Sequence, residues 1–553
     1  MPRRFGIFDY KAPAGVTLHV GDLVRIPFRK QMLFGIVAKV KPTTPFKRIV
    51  TVQEVIEPNF ISPASVARFE HISKLIVQSP SVLLAFAFKD FKQRKKLPDL
   101  PTPKLVAGDT LTGAQVKKIQ HALKQPAGSS FHQMSAEESF GLAVTASKRP
   151  GQTLILTPNE RYAETLFQRP LENAAVLHGK TKPPVRERIL QAWRKGEIKT
   201  LVGTRQSSLF EPHKLGTVVI CESTSEDYRF LDRNPRLDAR LAAEALAYQH
   251  KVPCLFTSPF PFVHTYADMQ LEEAAAHTLV SLGSEGERSG TTFLSKQLKI
   301  AIQELPPKAK ALLFFNRKGG AKHIQCHDCG YTLLCGNCHQ IATVRADDLI
   351  CQSCKTEMWI PKKCPSCQSH KLSEKGLGNQ RLKAAFQKAF PHRSIGILDK
   401  EHQESGADIV IATEHYFKNV WTPFTSPNLA LVAELHFEQQ IYDPTFHAQE
   451  YAGYALHRLL QLGKQQKAAC FIQCWELDSV RTLLNAKTWL QSELKARKDY
   501  ELPPFGYFAL ATDEATEQER IYRANTENLA KTLEDLKKLP DSAIISAEST
   551  YLK

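Results

Sequence analysis

Residues 200–224 read TLVGTRQSSLFEPHKLGTVVICEST, in which two apolar runs, TLVGT and TVVICE, are separated by a polar stretch. A similar run, TLILTP, precedes them at 153–158, and PCLFTS follows at 253–258, with helical patterns in between. Apolar strands that alternate with helices are typical of βαβ units around a parallel sheet. The rhythm resumes in ALLFFN, SIGIL, DIVIAT and ALVAEL, between residues 311 and 435. The sequence therefore predicts two α/β lobes.

Length and charge limit the class of protein. The chain has 553 residues, enough for about three or four domains. Lys and Arg outnumber Asp and Glu by 73 to 56, a formal net charge of +17. This charge favours a polyanionic partner, with nucleic acid ahead of an anionic membrane. The sequence contains neither an apolar run long enough for a transmembrane helix nor the apolar stretch of a secretory signal at its start, so we expect a cytoplasmic protein.

The chain ahead of the lobes is basic. Its first fifty residues carry ten Lys or Arg and only two Asp, and VTLHVGDLVRIPF and LFGIVAKV alternate apolar with polar positions. This pattern predicts a small basic β-domain at 1–95. The proline-spaced stretch KQRKKLPDLPTPK then predicts a linker at 96–110. The further boundaries that we expect are 111–275 for the first lobe, 276–480 for the second and 481–553 for a C-terminal domain.

Eight of the twelve cysteines lie in one block, 326–367, that interrupts the second lobe. They form four Cys-x-x-Cys pairs: Cys326 and Cys329, Cys335 and Cys338, Cys351 and Cys354, Cys364 and Cys367. Each pair can place two thiolates on a tight turn, and two pairs complete one tetrahedral zinc site, so eight ligands predict two closed, structural Zn²⁺ sites. An iron–sulfur cluster or a set of disulfides suits this regular spacing less well. The spacing alone leaves the pairing of the four pairs open, and the nearby His323, His327 and His339 are expected to be bystanders.

The flanks of the cysteine block carry a family resemblance. The block lies between FFNRKGG at 314–320 and EKGLGNQRL at 374–382, and LTGAQ at 111–115, GTRQSSLF at 203–210 and LPPF at 502–505 follow the same order as in the family. Together these motifs resemble the PriA family of primosomal replication-restart helicases over most of the chain. The resemblance implies two RecA-like superfamily 2 helicase lobes, with the zinc module inserted in the second lobe and an α+β domain at the C-terminus.

The resemblance also implies how the zinc ligands pair and which of the family's domains are absent or shortened here. Zinc 1 would be held by Cys326, Cys329, Cys364 and Cys367, and zinc 2 by Cys335, Cys338, Cys351 and Cys354. The winged helix that the family has between the β-domain and the first lobe is expected to be absent, because only the short linker is left for it. The C-terminal domain is expected to be shortened.

At the N-terminus, FDYKAP and VGDLVRIPFRKQMLFGIVAKV are similar to the family's β-domain that captures the 3′ end of a nascent DNA strand. The resemblance implies that Phe8, Asp9 and Lys47 line the pocket for the terminal nucleotide, with the carboxylate bonding the base or the terminal hydroxyl. Arg29 departs from the family, which has glycine in this turn. We expect Arg29, with Lys30, to fill the pocket or to bind phosphate. The alternative is an ordinary small β-barrel with a solvated basic face.

The phosphate loop of a superfamily 2 helicase needs glycines, a lysine for the phosphates and a Ser or Thr for Mg²⁺. The corresponding stretch, SFHQMSAEESF at 130–140, has none of the glycines and no lysine. Beside Ser135, Ala136 stands near the lysine position and Glu137 near the Mg²⁺ hydroxyl. The adjacent anions Glu137 and Glu138 would repel a triphosphate.

Two further ATPase motifs are degenerate. CEST at 221–224 replaces the family's DEEH, so that Cys221 stands where the Mg²⁺-linked Asp is expected and Glu222 is a remnant of the motif. YALHRLLQLGKQ, around Arg458, stands at the arginine-finger motif without its Gly-Arg steps. GKTK at 179–182 is interpreted as a basic loop because it lacks the upstream glycines and precedes two prolines. We therefore expect little or no ATP hydrolysis, and binding of ATP and Mg²⁺ is doubtful.

Three functions stay open. The first is a PriA-like restart protein that assembles the primosome on forked, branched or single-stranded DNA without ATP-driven unwinding. By resemblance its protein partners are a single-strand-binding protein and the replicative helicase or its loader; we expect a monomer and no membrane contact. The second is an active ATP-dependent 3′–5′ DNA helicase with an unrecognisable phosphate loop. The third is a zinc-ribbon nucleic-acid-binding protein unrelated to restart.

Overall fold

The helices and strands of the computed structural model begin and end close to the apolar runs of the sequence. The residues that it describes are 7–89, 91–106, 111–229, 235–265, 271–282, 294–315, 323–329, 331–336, 342–345, 348–351, 356–375, 379–399, 402, 404–413, 428–441, 445–474, 477–513, 516, 518–540 and 543–548. They divide into two compact units. The first comprises Met1–Ser258, Phe262–Gln270 and Ser492–Lys553, and the second comprises Pro259–Pro261 and Leu271–Gln491.

The N-terminal part of the first unit holds two small sheets. Its strands are β1 (Tyr10–Lys11), β2 (Leu23–Phe28), β3 (Gln31–Ile36), β4 (Val50–Thr51) and β5 (Glu54–Glu57). β2 pairs antiparallel with β3 and with β5, and β1 pairs in parallel with β4. β2 and β3 are joined by a two-residue turn, Arg29-Lys30, in which Arg29 has a φ of 55°. Two-residue hairpin turns favour positive φ because their twist then matches that of the strands.

Two helices follow these sheets, α1 (Pro63–Leu75) and α2 (Pro80–Ala87). Both start with a proline at the first helical turn and a serine cap, because the Ser62 and Ser79 hydroxyls accept from backbone NH groups of the first turn. Phe69 and Ile72 of α1 are fully buried. Residues 91–106 continue as an extended segment without helix or strand.

A six-stranded parallel sheet forms the first lobe. Its strands are β6 (Gly128–Gln133), β7 (Gln152–Leu156), β8 (Ala174–Leu177), β9 (Thr200–Gly203), β10 (Leu215–Ile220) and β11 (Pro253–Ser258), in the order β6-β11-β10-β7-β9-β8. Its helices are α3 (Gly113–Ala122), α4 (Ala136–Ser147), α5 (Glu160–Phe167), α6 (Pro183–Lys195) and α7 (Ala239–His250). The central strands β7 and β10 are buried on both faces, which explains their continuous apolar runs.

The second unit contains another six-stranded parallel sheet. Its strands are β12 (Thr278–Ser281), β13 (Lys310–Phe314), β19 (Ile395–Leu398), β20 (Ile409–Ala412), β21 (Leu429–Glu434) and β22 (Ala469–Cys474), in the order β12-β22-β21-β13-β20-β19. Its helices are α8 (Lys296–Gln303), α9 (Asn379–Ala389), α10 (Glu438–Ile441), α11 (Ala448–Gln466) and α12 (Leu477–Leu484), and α13 (Ala486–Asp499) continues into the first unit.

The cysteine block forms an antiparallel sheet between β13 and α9. Its strands are β14 (His323–Cys326), β15 (Ala342–Arg345), β16 (Asp348–Cys351), β17 (Glu357–Trp359) and β18 (Leu372–Lys375), in the order β17-β16-β15-β14-β18. The last sheet of the chain belongs to the first unit: β23 (Tyr507–Thr512) pairs with β24 (Glu519–Ala524) and β25 (Ile544–Glu548), and α14 (Leu529–Lys538) packs on it. The Tyr507 hydroxyl donates to the Leu75 carbonyl oxygen of α1 at 2.8 Å.

The predicted fold class is confirmed: the chain is a multidomain α/β protein with a small N-terminal β-domain, two parallel sheets and a cysteine module inserted in the second. Among the residues listed above as described, no helix is long and apolar enough to cross a membrane.

Candidate metal centre and nucleic-acid interface

Four cysteines of the block converge at one point. The sulfur atoms of Cys326, Cys329, Cys364 and Cys367 all lie within 4.8 Å of one another. Two of these distances are 3.5 Å, from Cys326 to Cys367, and 3.6 Å, from Cys329 to Cys364. A tetrahedron with Zn–S bonds of about 2.3 Å has sulfur–sulfur edges of about 3.8 Å. The group could therefore hold a metal ion of that size.

Matching turns at the two ends of the module build this cluster. The Cys326 NH donates to the carbonyl oxygen of Tyr331, five residues on, at 2.8 Å. The Cys364 NH donates in the same way to Ser369 at 2.8 Å. The antiparallel pairing of β14 with β18 brings the two turns side by side. Each turn thus points two thiols toward the same centre.

The pKa values of the thiols fit a metal-binding group. Burial raises the pKa of Cys326, but the backbone NH groups of Cys329 and Asp328 donate to its sulfur and lower the pKa to about 7. At Cys367 the Ser369 NH lowers the pKa, yet the neighbouring thiols outweigh it and raise the pKa to about 12. Four adjacent thiolates would repel one another, and a divalent cation bound among them would offset that repulsion.

The second expected set of ligands is described only in part. Cys335 and Cys351 are both fully buried in the module, whereas Cys338 and Cys354 lie outside the described residues. The Cys351 NH donates to the Thr356 carbonyl oxygen, five residues on, at 2.9 Å. This is the same turn pattern as at the first cluster.

The histidines near the block are placed in part. The His327 Nδ1 atom lies 3.7 Å from the Asp328 carboxylate. His323 lies in β14, and His339 is outside the described residues. In the part of the chain that the structure describes, the metal-ligating cluster contains cysteines alone.

Asp9 of the N-terminal β-domain is held by two side chains from a later loop. Its Oδ2 atom accepts from Lys41 Nζ at 2.7 Å and from Thr44 Oγ1 at 2.5 Å. These bonds, first that of Lys41 and then that of Thr44, lower the pKa of the Asp9 carboxyl. Lys47, which the resemblance places in the nucleotide pocket with Phe8 and Asp9, is exposed. Sequence reasoning missed Lys41 because nothing in the local pattern predicts a contact that spans 32 residues.

The hairpin turn between β2 and β3 presents an aromatic and basic surface. The Phe8 ring is 47% exposed and lies edge-on to Phe28, with 5.1 Å between the ring centroids. The Arg29 guanidinium lies 5.7 Å from the Phe28 ring centroid. Lys30 is exposed beside it. Exposed rings among cations are typical of surfaces on which nucleic-acid bases stack.

A helix cap lies where the resemblance predicts the phosphate loop. Only Met134 and Ser135 connect β6 to α4, too few for a phosphate loop of the G-x-x-x-x-G-K-[ST] type. The Ser135 hydroxyl accepts from the Glu138 NH at 3.3 Å, and the Glu138 carboxylate accepts from the Ser135 NH at 2.7 Å. Ala136 and Glu137 start the helix. An anionic side chain thus takes the place at the helix N-terminus where a phosphate would bind.

The CEST segment is folded into the core of the first lobe. Cys221 is fully buried, and burial, followed by the nearby charge of Glu222, raises the pKa of its thiol to about 12. Glu222 is 1% exposed and has a φ of 51°. The Tyr228 hydroxyl contacts the Cys221 carbonyl oxygen. A buried neutral thiol is a poor ligand for Mg²⁺, which prefers oxygen.

A buried arginine completes this end of the sheet, and the sequence had no signal for it. The Arg240 guanidinium donates to the Ser223 carbonyl oxygen at 2.5 Å and pairs with the Asp238 carboxylate. It also lies 4.2 Å from the Phe262 ring centroid. Arg240 thus ties the segment after β10 to α7.

In the second unit, Arg458 of the predicted arginine-finger motif donates to the Tyr454 hydroxyl one turn earlier in α11 at 3.0 Å.

The GKTK loop is a surface loop before α6. Lys180 Nζ lies 2.9 Å from the Glu160 carboxylate, and its pKa is raised by that hydrogen bond. Lys182 caps α6 and Pro183 starts it. The charge of Lys180 is thus neutralised within the lobe.

These sheets and the cysteine module define a helicase-like α/β protein. Two family models match the chain: the 3′ DNA-binding domain (3′BD) of PriA at residues 2–88, and the helicase conserved C-terminal domain at residues 137–208. The first covers β1–β5, α1 and α2. The second falls within the first parallel sheet, from α4 to β9.

Curated relatives extend the match to most of the chain. Replication restart protein PriA of Rickettsia conorii is 25% identical over 90% of this chain and 83% of its own length. That of Bacillus subtilis is 27% identical over 58% of this chain and 44% of its own length. Over most of its length the chain is thus similar to the PriA replication restart proteins.

Solved structures are more distant. RecG bound to a three-way DNA junction aligns with 83% of this chain and 59% of that chain, at 15% identity and a TM-score of 0.35. Dbp5 of S. cerevisiae bound to RNA aligns with 69% of this chain and 93% of that chain, at 11% identity and a TM-score of 0.34. At these scores the alignments carry no argument for function.

Proposed function

We propose that this protein recognises forked or branched DNA and helps to reload the replisome without ATP-driven unwinding. The observation that carries the proposal is the helix cap formed by Ser135 and Glu138 where a motor would bind phosphate. It occurs in a chain whose N-terminus matches the 3′ DNA-binding domain. The family resemblance adds a single-strand-binding protein and the replicative helicase or its loader as protein partners.

The 3′ end of a nascent strand would bind at the hairpin surface of the β-domain. Phe8 offers a ring for the terminal base, and Arg29 and Lys30 offer cations for phosphate. Asp9 is acceptor-only when ionised, and its lowered pKa favours that form. It can therefore accept from a base or from the terminal hydroxyl, while Lys41 holds it in place.

We further propose two structural zinc ions in the cysteine module. The convergence of Cys326, Cys329, Cys364 and Cys367 supports the first. The repeated turn at Cys351 and the burial of Cys335 support the second, which would be completed by Cys338 and Cys354. Closed four-thiolate sites leave no position open for a substrate, so both ions would stabilise the module.

The first test separates a scaffold from a motor. Purified protein is expected to show no hydrolysis of ATP above background, with or without fork DNA, because losing even one transition-state cation costs roughly 10³- to 10⁵-fold in rate. DNA-stimulated hydrolysis would overturn the proposal in favour of an active 3′–5′ helicase.

The second test measures recognition of the DNA end. Fluorescence anisotropy at one fixed salt concentration should show tighter binding to a fork with a free nascent 3′ hydroxyl than to the same fork with a 3′ phosphate. Asp9→Asn should reduce this preference about tenfold, since a charged hydrogen bond contributes about 1.5 kcal/mol. Asp99→Asn, at an exposed acid of the linker, is the control and should keep it. Equal affinity of the unaltered protein for both forks and for structured RNA would favour a general zinc-ribbon nucleic-acid-binding protein.

A further inference from the structure

Three exposed lysines on one short segment follow the N-terminal domain. Residues 91–96, called the basic strap here, lie beyond residue 88, where the match to the 3′ DNA-binding domain ends. Lys92, Lys95 and Lys96 of the strap are exposed. Among the residues that the structure describes, none of their ammonium groups has an ion-pair partner. A run of exposed lysines is usually just a solvated surface. Whether it can serve as a binding surface depends on how firmly its backbone is held.

The backbone of the strap is fixed by one buried carboxylate. Glu187 of α6 is 2% exposed. It accepts from the Lys92 NH at 3.3 Å and from the Arg94 NH at 2.8 Å. The Arg94 guanidinium also pairs with it. Between the two bonded NH groups, Gln93 has a φ of 53°, a conformation that a non-glycine residue keeps only where its surroundings hold it there.

The start of the strap is anchored by aromatic packing. The Phe91 ring lies 5.4 Å from the Phe60 ring and 5.6 Å from the Phe34 ring, measured between centroids. The strap is therefore bound at Phe91 to the β-domain and at Arg94 to the first lobe. Arg94 neutralises Glu187, so the buried carboxylate does not cancel the charge of the three lysines.

We propose that the basic strap is a second contact for DNA, at which Lys92, Lys95 and Lys96 bind phosphates of a duplex arm. The inference rests on the proposed function, since it adds a contact to the same DNA complex. Cations on a fixed backbone lose less conformational entropy on binding than those of a free linker. From residue 92 to residue 96 the chain spans at most about 14 Å, and phosphates follow each other at about 3.4 Å of rise along one strand. The strap therefore matches a few consecutive phosphates and reads no sequence.

The test compares the salt dependence of two triple variants. The ligand is a blunt duplex with both 3′ ends phosphorylated, so that end capture does not contribute. Lys92→Ala with Lys95→Ala and Lys96→Ala should reduce the slope of log affinity against log salt by about 2.7, because each phosphate contact adds about 0.9. The control is Lys299→Ala with Lys308→Ala and Lys388→Ala, which removes the same charge from exposed positions of the second unit and should leave the slope within experimental error. An unchanged slope in the strap variant, or an equal change in both, would overturn the inference.

A second readout keeps this test apart from that of the proposed function. The strap variant should lose affinity for free and blocked forks by the same factor and keep the preference for a free 3′ hydroxyl. If the unaltered protein shows that preference and the strap variant keeps its salt slope, the inference alone fails. If the unaltered protein has no such preference while the slope still falls in the strap variant, the proposed function alone fails.

Discussion

Ser135 shows how much a single residue can determine at the start of a helix. Its hydroxyl and the Glu138 carboxylate satisfy each other's backbone NH groups, and Lys118 Nζ lies 3.6 Å from that carboxylate. A helix N-terminus has NH groups that need acceptors. Here the chain's own side chains supply those acceptors, so the cap stabilises the fold. In an ATPase the NH groups at such a helix N-terminus would bind the phosphates of the nucleotide instead.

Ser135→Ala should lower the free energy of unfolding by about 1 kcal/mol, because the substitution leaves the Glu138 NH without its acceptor. Urea denaturation checks this. Thr145→Ala, on the same helix, is the control: its hydroxyl bonds the Gly141 carbonyl oxygen within the helix, and its loss should change stability by less than about 0.5 kcal/mol. Equal losses in both variants would mean that the cap contributes nothing specific.

At this scale the sequence predicts only contacts that are close along the chain. The Cys-x-x-Cys spacing places two thiols on one turn, and the resemblance supplied the pairing that the structure brings together in Cys326, Cys329, Cys364 and Cys367. Asp9 was selected by resemblance, but its cation was not, because Lys41 reaches it from a distant loop. Arg240 has no local signal at all, since its role depends on the packing of α7 against the segment after β10.

At the scale of elements, the cysteine module has a small core in the part that the structure describes. Among the described residues of its five-stranded antiparallel sheet, the core cluster has four buried apolar side chains, those of Ile324, Leu333, Ala342 and Leu349. So few buried groups cannot offset the entropy of ordering the strands. We therefore expect the module to depend on the proposed zinc ions for its fold more than the two parallel sheets do.

A chelator should unfold this module and leave the lobes folded. Hydrogen exchange should show lost protection in β14–β18, at unchanged protection in β7 and β10, after dialysis against a strong zinc chelator. Cys329→Ser should give the same pattern and a lower zinc content, whereas Cys470→Ser, at a cysteine outside the block, should keep both. Full protection of β14–β18 in metal-free protein would contradict the prediction.

The sequence predicts which segments form strands better than it predicts the order of those strands in the sheets. The runs TLILTP, TVVICE and DIVIAT coincide with β7, β10 and β20, which are buried on both faces. The edge strand β6, GSSFHQ, was not predicted because its polar residues give no continuous apolar run. The order β6-β11-β10-β7-β9-β8 depends on long-range pairing, which periodicity does not encode.

At the scale of the whole molecule, the buried His457 and the half-buried His132 make stability depend on pH. Burial lowers the pKa of His457 to about 4, despite its hydrogen bond to the Leu483 carbonyl oxygen. Burial also lowers the pKa of His132 to about 4. One histidine lies in each compact unit. Because both folded-state pKa values are below the usual 6.5, the stability due to the neutral rings is present above about pH 6.5 and is lost as the pH falls toward 4.

Stability should therefore fall between pH 6.5 and pH 4, by about 3 kcal/mol for His457 alone. Urea midpoints across this range, with a probe in each unit, measure the effect. His457→Gln should flatten the curve of the second unit, and His392→Gln, at an exposed position, should not. A curve of the second unit that keeps its full slope in His457→Gln would assign the acid sensitivity to other groups.

The two-residue connection between β6 and α4 limits what substitution could change at this helix N-terminus. Point substitution can place a lysine at position 136, but it cannot lengthen the chain between strand and helix. A phosphate loop of the G-x-x-x-x-G-K-[ST] type would therefore require an insertion at this connection.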